Sequence, residues 1–212
     1  MKNRLAFSVL FAFGALACGT NRPELPEGVD PNASCVRLGY PEGPFGTKPG
    51  DTAKNVCFRG WLEPDRTALV EDTLAPVALS DFHDPDGTRG VKLLLLNTAA
   101  LWCTACRVEH RTLPGHAARL APKGLVVVTA LFQGVDGSPA TLNDMTLWVT
   151  NYGTNFPIVL DPVYSFERYA SAATAPLNLV VDPKTMQVLE KYIGDQSEVL
   201  WPYIESELSR RQ

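Results

Sequence analysis

The sequence predicts a single α/β domain with a mixed central sheet flanked by helices, and three observations carry that expectation. Strand and helix patterns alternate as βαβα and then continue as ββα. Val91 to Asn97, apolar apart from Lys92 and the closing Asn97, has the pattern of a central strand buried on both faces. Cys103 and Cys106 stand two residues apart where that strand gives way to a helix.

The elements follow in order along the 212 residues. Tyr40 to Gly46 is dense in turn formers, so the chain up to Asp51 reads as an irregular arm. Val56 to Trp61, Ala68 to Val70 and Pro76 to Leu79 read as short strands, and Phe82 to Gly90 as a loop. A helix is expected from Cys103 to about Ala121, bent at Pro114, which lacks an N–H for the helical ladder. Gly124 to Phe132 is a second buried strand. Ser138-Pro139 has the form of an N-cap followed by proline at the first helical position, opening a helix to about Tyr152. Phe156 to Leu160 reads as a strand and Val163 to Ser171 as a short helix. Leu177 to Val181 and Met186 to Ile193 form a pair joined by the turn Asp182 to Thr185. Ser197 caps a last helix ending near Arg211, with Pro202 tolerable only near its first turn.

Trp102-Cys103-Thr104-Ala105-Cys106 is a redox centre in sequence form. A cysteine at a helix start gains from unpaired backbone N–H groups and the helix dipole, which lower its pKa and make it a nucleophile. Cys106, one turn later, is placed to resolve a mixed disulfide. A zinc ribbon needs a second close pair, but Cys18, Cys35 and Cys57 stand far apart. Covalent haem attachment needs His after the second cysteine, where this chain has Arg107; a peroxidatic site needs Thr or Ser at Ala100. No metal or other cofactor is expected.

Residues 1–17 read as a signal peptide: Lys2 and Arg4 precede an apolar stretch too short to span a bilayer comfortably, ending in small residues. Ala15-Leu16-Ala17-Cys18-Gly19 resembles a lipobox, with Ala15 where Leu is usual, so Cys18 is the expected lipidation site. Ordinary secretion, with Cys18 removed, is the alternative. Residues 18–34 then form a lipidated tether, 35–49 an N-terminal arm and 50–212 the folded domain. By resemblance to such lipoproteins, Gly19 after the cysteine would favour outer-membrane sorting, so the expected address is a bacterial cell envelope, facing the periplasm. Four cysteines remain in an oxidising compartment, and Cys35 with Cys57 reads as a structural disulfide. Closing that loop of about 23 residues would stabilise the fold by roughly 3 kcal/mol. A net charge of −4 without a Lys/Arg cluster argues against nucleic acid as a partner.

Three placements make the chain resemble the thioredoxin superfamily, and within it the TlpA/ResA-like extracytoplasmic thiol-disulfide oxidoreductases in lipoprotein form. They are Trp102-Cys103-x-x-Cys106 after the buried strand, Glu109 three residues beyond the second cysteine, and Ala175-Pro176 before the strand Leu177 to Val181. The resemblance covers roughly Gly50 to Arg211. It implies a thioredoxin-like fold and a disulfide-exchange enzyme, more a reductant than an oxidant. Its partners would be protein thiols and disulfides and an upstream electron donor, and the protein would act as a monomer. Cys103 and Cys106 would be the catalytic pair, with Glu109 taking the Cys106 proton. The alternative for Glu109 is a solvated glutamate paired with Arg107 or Arg111. Trp102, Ala175 and Pro176 would bind substrate, Pro176 through a cis peptide bond that an arbitrary X-Pro bond adopts only ~5% of the time. Two other functions stay open: a peroxiredoxin-like peroxidase, and a lipoprotein that only binds a partner, its cysteine pair a structural staple.

His110 beside arginines reads as a solvated helix histidine rather than a metal ligand. His83 and His116 carry no signal, and Trp148 and Trp201 read as core.

Overall fold

The computed structural model describes residues 39–64, 69–165 and 175–212. One seven-stranded mixed sheet organises them, in the order β2-β1-β5-β4-β3-β6-β7. The strands are β1 (Cys57–Trp61), β2 (Ala75–Ala78), β3 (Leu93–Ala100), β4 (Leu125–Gln133), β5 (Ile158–Leu160), β6 (Leu177–Val181) and β7 (Val188–Ile193). The helices are α1 (Thr104–Glu109), α2 (Leu113–Leu120), α3 (Leu142–Tyr152) and α4 (Ser197–Arg210). β3 lies inside the sheet, parallel to β4 and antiparallel to β6, which explains its run of four leucines from Leu93 to Leu96.

Alternate residues of a strand face opposite sides of the sheet. Leu93 and Leu95 pack with Leu125 and Val127 under α2 and α4, through Leu113, Leu120, Leu200 and Ile204. Ala99 and Leu131, further along the same strands, and Ile158 at the start of β5 pack under α1 and α3, through Cys106, Met145 and Trp148. The β3-to-β4 and β4-to-β5 connections step in one direction across the sheet, so right-handed crossovers put their helices on one face. On the opposite face Leu94, Leu96, Val128 and Leu179 meet Ala53, Val56, Phe58, Leu79 and Phe82. The arm runs on along the β7 edge, where Gly50 N–H donates to Val188 O and Val188 N–H to Asp51 O, both at 2.8 Å. It thereby covers an otherwise unpaired strand edge.

Four local expectations are corrected. The helix after Cys103 is interrupted, not bent: α1 ends at Glu109 and α2 begins at Leu113. Pro114 has no N–H and clashes with a helical carbonyl four residues earlier, but fits the first turn of a new helix. The helix placed from Ser138 starts after Thr141, whose hydroxyl and the Asp144 carboxylate form a reciprocal capping box. Ser138 N–H and Oγ bond Asp136 instead, and Ala140 N–H donates to Phe132 O, so the chain first folds back on β4. Leu69 and Val70 are not a strand; Val70 precedes a short 3-10 turn at Glu71–Thr73, and Ala68 lies outside the described residues. Pro202 is the sixth residue of α4, beyond its first turn, and the helix continues through it. The segment expected as a helix over Val163 to Ser171 lies outside the described residues from position 166 onward.

Candidate active site

Cys103 occupies the N-cap of α1 in extended conformation, and Cys106 N–H donates to its Sγ at 3.1 Å. The helix thus points one of its unpartnered donors at the sulfur, an arrangement that favours a thiolate. The two cysteines form a disulfide with Cα atoms 5.3 Å apart. Cys103 is 3% exposed and Cys106 fully buried, so a partner reaches Cys103 first.

Trp102 stands beside the pair at 41% exposure. Its indole N–H donates to Gln133 Oε1 at 2.8 Å, and its ring meets Phe132 edge-on at 6.3 Å. The Ala175-Pro176 peptide bond is cis. Ala175 packs against the apolar cluster that holds both cysteines. The structure therefore gathers Trp102, Cys103, Cys106 and Ala175 around one cluster, from segments far apart in the chain.

Glu109 is 1% exposed and pairs with neither Arg107 nor Arg111. Its carboxylate accepts from two amides: Asn178 Nδ2 on Oε1 at 2.6 Å and Asn97 Nδ2 on Oε2 at 2.8 Å. Burial is the largest influence and pushes the carboxyl up to about 7; the two amide hydrogen bonds oppose it, and the charge of Asp195 adds to it. This side chain holds or releases a proton near neutral pH, one turn beyond Cys106.

His110 corrects the expectation of a solvated side chain. It is fully buried, edge-on to Trp148 at 4.9 Å and near Tyr152 at 6.0 Å. Nδ1 lies 3.0 Å from Cys106 O and Nε2 lies 3.3 Å from Thr129 Oγ1. Burial pushes its imidazole down to about 4.

Three residues of this site were missed in the sequence. Asn97, Thr129 and Asn178 are buried on β3, β4 and β6, and the sheet register sets Asn97 opposite both of the others. Asn97 Nδ2 donates to Asn178 Oδ1 at 2.8 Å, and Thr129 Oγ1 donates to Asn97 Oδ1 at 2.9 Å. The available signal was a polar residue inside each of three otherwise apolar strands, since a buried amide or hydroxyl needs partners.

Cys57 is disulfide-bonded; Cys35, its expected partner, and Cys18 lie outside the described residues. Among the described residues no cluster of His, Cys, Asp and Glu is placed to hold a metal ion, and no helix is long and apolar enough to cross a membrane.

No family model matches the chain. It is 30% identical over 109 residues to the thiol:disulfide interchange protein DsbE of Haemophilus influenzae, covering 51% of this chain and 54% of that protein. It is 29% identical over 111 residues to DsbE of Pseudomonas fluorescens biotype C, covering 52% and 56%. The chain thus spans about half the length of the curated relatives it matches. Its fold is similar to the thioredoxin domain of a thiol-disulfide oxidoreductase from Bacteroides vulgatus, with a TM-score of 0.56 at 18% identity, covering 76% of this chain and 97% of that one.

Proposed function

We propose that this chain, a thioredoxin-fold relative of the DsbE thiol:disulfide interchange proteins, exchanges disulfides with protein partners and acts in the reducing direction. The observation that carries the reading is the Cys103–Cys106 disulfide at the start of α1, with a helix N–H on the Cys103 sulfur and Glu109 buried one turn beyond Cys106.

Reduction begins with both cysteines as thiols. The Cys103 thiolate attacks one sulfur of the substrate disulfide, forming a mixed disulfide and releasing the other substrate sulfur, which takes a proton. Cys106 gives its proton to the Glu109 carboxylate and its thiolate attacks the Cys103 sulfur. The second substrate thiol leaves, and two electrons have passed from the pair to the substrate. The oxidised pair is the state in the structure, and an upstream electron donor returns it to the dithiol. Trp102, Ala175 and the cis Pro176 form the surface against which an extended substrate segment lies.

The direction follows the TlpA/ResA-like branch that the cysteine motif resembles. The amino-terminal residues support an envelope address: Lys2 and Arg4 before an apolar stretch, then Ala15 to Gly19 as a lipobox with Cys18 acylated. In this reading residues 18–34 tether a periplasm-facing monomer to the outer membrane, residues 35–49 form an arm before the domain, and Cys35–Cys57 is structural.

A thiol-trapping redox titration tests the function, with Cys57 tracked separately by mass. A Cys103–Cys106 couple equilibrating between roughly −120 and −270 mV, with activity lost in Cys103→Ser, is the expected result. A pair that stays oxidised far below that range would mark a structural staple and refute exchange.

A further inference from the structure

Glu109 and His110 are joined through the sheet as well as through the helix. From His110 Nε2 the contacts run 3.3 Å to Thr129 Oγ1, 2.9 Å on to Asn97 Oδ1, and 2.8 Å from Asn97 Nδ2 to Glu109 Oε2. Asn178 closes the far side, donating to Glu109 Oε1 and accepting from Asn97. Every group is buried, on α1 and its C-cap residue, β3, β4 and β6.

The donors in this chain can be counted. Cys106 O is a carbonyl and only accepts, so Nδ1 of His110 carries a hydrogen. In a neutral imidazole Nε2 then has none and must accept from Thr129, whose single hydroxyl hydrogen is already directed at Asn97 Oδ1. One hydrogen cannot serve both contacts. Two arrangements remove the conflict while holding the same number of protons. In the first, His110 is doubly protonated: Nε2–H donates to Thr129, Thr129 to Asn97, and Asn97 to a Glu109 carboxylate. In the second, His110 is neutral, Thr129 donates to Nε2, and the Asn97 amide is turned so that its NH2 meets Thr129. Its oxygen then faces Glu109, which must be the carboxylic acid and donate to it. The first satisfies every link; the second sets Asn97 oxygen against Asn178 oxygen, while burial favours its uncharged pair.

We propose that His110 is a positioning residue that shares one proton with Glu109 through Thr129 and Asn97, so that the state of the imidazole sets whether Glu109 faces Cys106 as carboxylate or as acid. The inference deepens the exchange mechanism and rests on that reading. In the first arrangement Glu109 is ready to take the Cys106 proton, leaving Glu109 as the acid and His110 as the cation; its release to solvent restores the starting state, so the count balances. Cys106 meets His110 through its backbone carbonyl, and its sulfur is held in the disulfide; the other ionisable groups facing the pair are Tyr152 from α3 and Asp195 from the segment before α4. The helix, the sheet and Asp195 are unchanged in a variant at Thr129, which isolates the link.

The test is a pH titration by NMR of the oxidised full chain, following the Glu109 carboxyl carbon and both His110 ring nitrogens, in wild type, Thr129→Val and Thr129→Ser. Strongly interacting groups titrate as a pair. The expected result is that the two side chains report common midpoints in wild type. They part in Thr129→Val, with at least one midpoint displaced by more than about one pH unit, and return together in Thr129→Ser, which retains the hydroxyl. Independent midpoints in wild type, or midpoints unmoved in Thr129→Val, would overturn the proposal; if Thr129→Val does not fold, the wild-type and Thr129→Ser curves decide it. Exchange with a disulfide substrate is measured on the same wild-type sample. Independent titration with exchange intact defeats the shared proton alone, whereas common titration without exchange defeats the function and leaves the link standing.

Discussion

Replacing Glu109 by Gln is expected to expose a pH dependence of stability that Glu109 and His110 cancel between them in the wild type. Glu109 is moved from its ordinary 4.5 up to about 7 and His110 from 6.5 down to about 4, both by burial. For Glu109 the folded state holds a proton that the unfolded chain has lost, so its contribution is present below pH 4.5 and is lost as pH rises to about 7. For His110 the unfolded chain holds the extra proton, so stability is gained as pH rises from about 4 to 6.5. At ~1.4 kcal/mol for each pH unit of displacement, each group contributes about 3 kcal/mol, with opposite sign over nearly the same window. The two cancel in wild type, whichever side chain carries the intermediate proton. In Glu109→Gln the histidine acts alone, and stability should rise by about 3 kcal/mol from pH 4 to 6.5. In His110→Gln it should fall by about the same amount from pH 4.5 to 7. Urea unfolding followed by tryptophan fluorescence, read as the variant curve minus the wild-type curve, removes the remaining ionisable groups from the comparison. A Glu109→Gln difference curve that is flat, or that slopes downward with rising pH, would refute the reasoning.

Four further outcomes follow from the geometry. Cys106→Ser should accumulate a mixed disulfide between Cys103 and a protein substrate, visible on a non-reducing gel and absent from the Cys103→Ser, Cys106→Ser double variant. Trp102→Ala should raise KM for a protein disulfide while leaving reduction of the pair by dithiothreitol within about twofold, because the exposed ring stands beside the sulfurs and its loss removes contact area without touching the Cys106 N–H; an equal loss with both reagents would count against a substrate-facing role. Leu95→Ala, at a fully buried position on the central strand, should cost 2–5 kcal/mol by chemical denaturation, whereas Thr141→Ala, which loses the α3 capping box, should cost only about 1 kcal/mol.

The features legible in the sequence are those whose cause is local. An apolar run marks β3 because a strand buried on both faces has no polar side to show. The cysteine spacing marks a redox pair because one helical turn separates them, and Pro114 marks a disturbance of the helix because its ring and missing N–H act within four residues, although the expected bend is a full interruption between Glu109 and Leu113. Even so, the start of α3 was misplaced, since Ser138-Pro139 and Thr141 with Asp144 both satisfy local capping rules. The return of Ala140 to Phe132 decided between them.

His110 and the polar row beneath it have no local cause. Whether that histidine meets water or Trp148 depends on how α1 lands on β4 and α3, and nothing in its flanking arginines reports this. Asn97 meets Thr129 and Asn178 across separations of 32 and 81 residues, through a register fixed by strand pairing over the whole sheet. Residue types and short spacings therefore supplied the cysteine pair and the acid beside it. The protonation of that acid was left to the assembled fold, because burial and hydrogen-bond partners belong to the contacts a side chain makes and not to its neighbours along the chain.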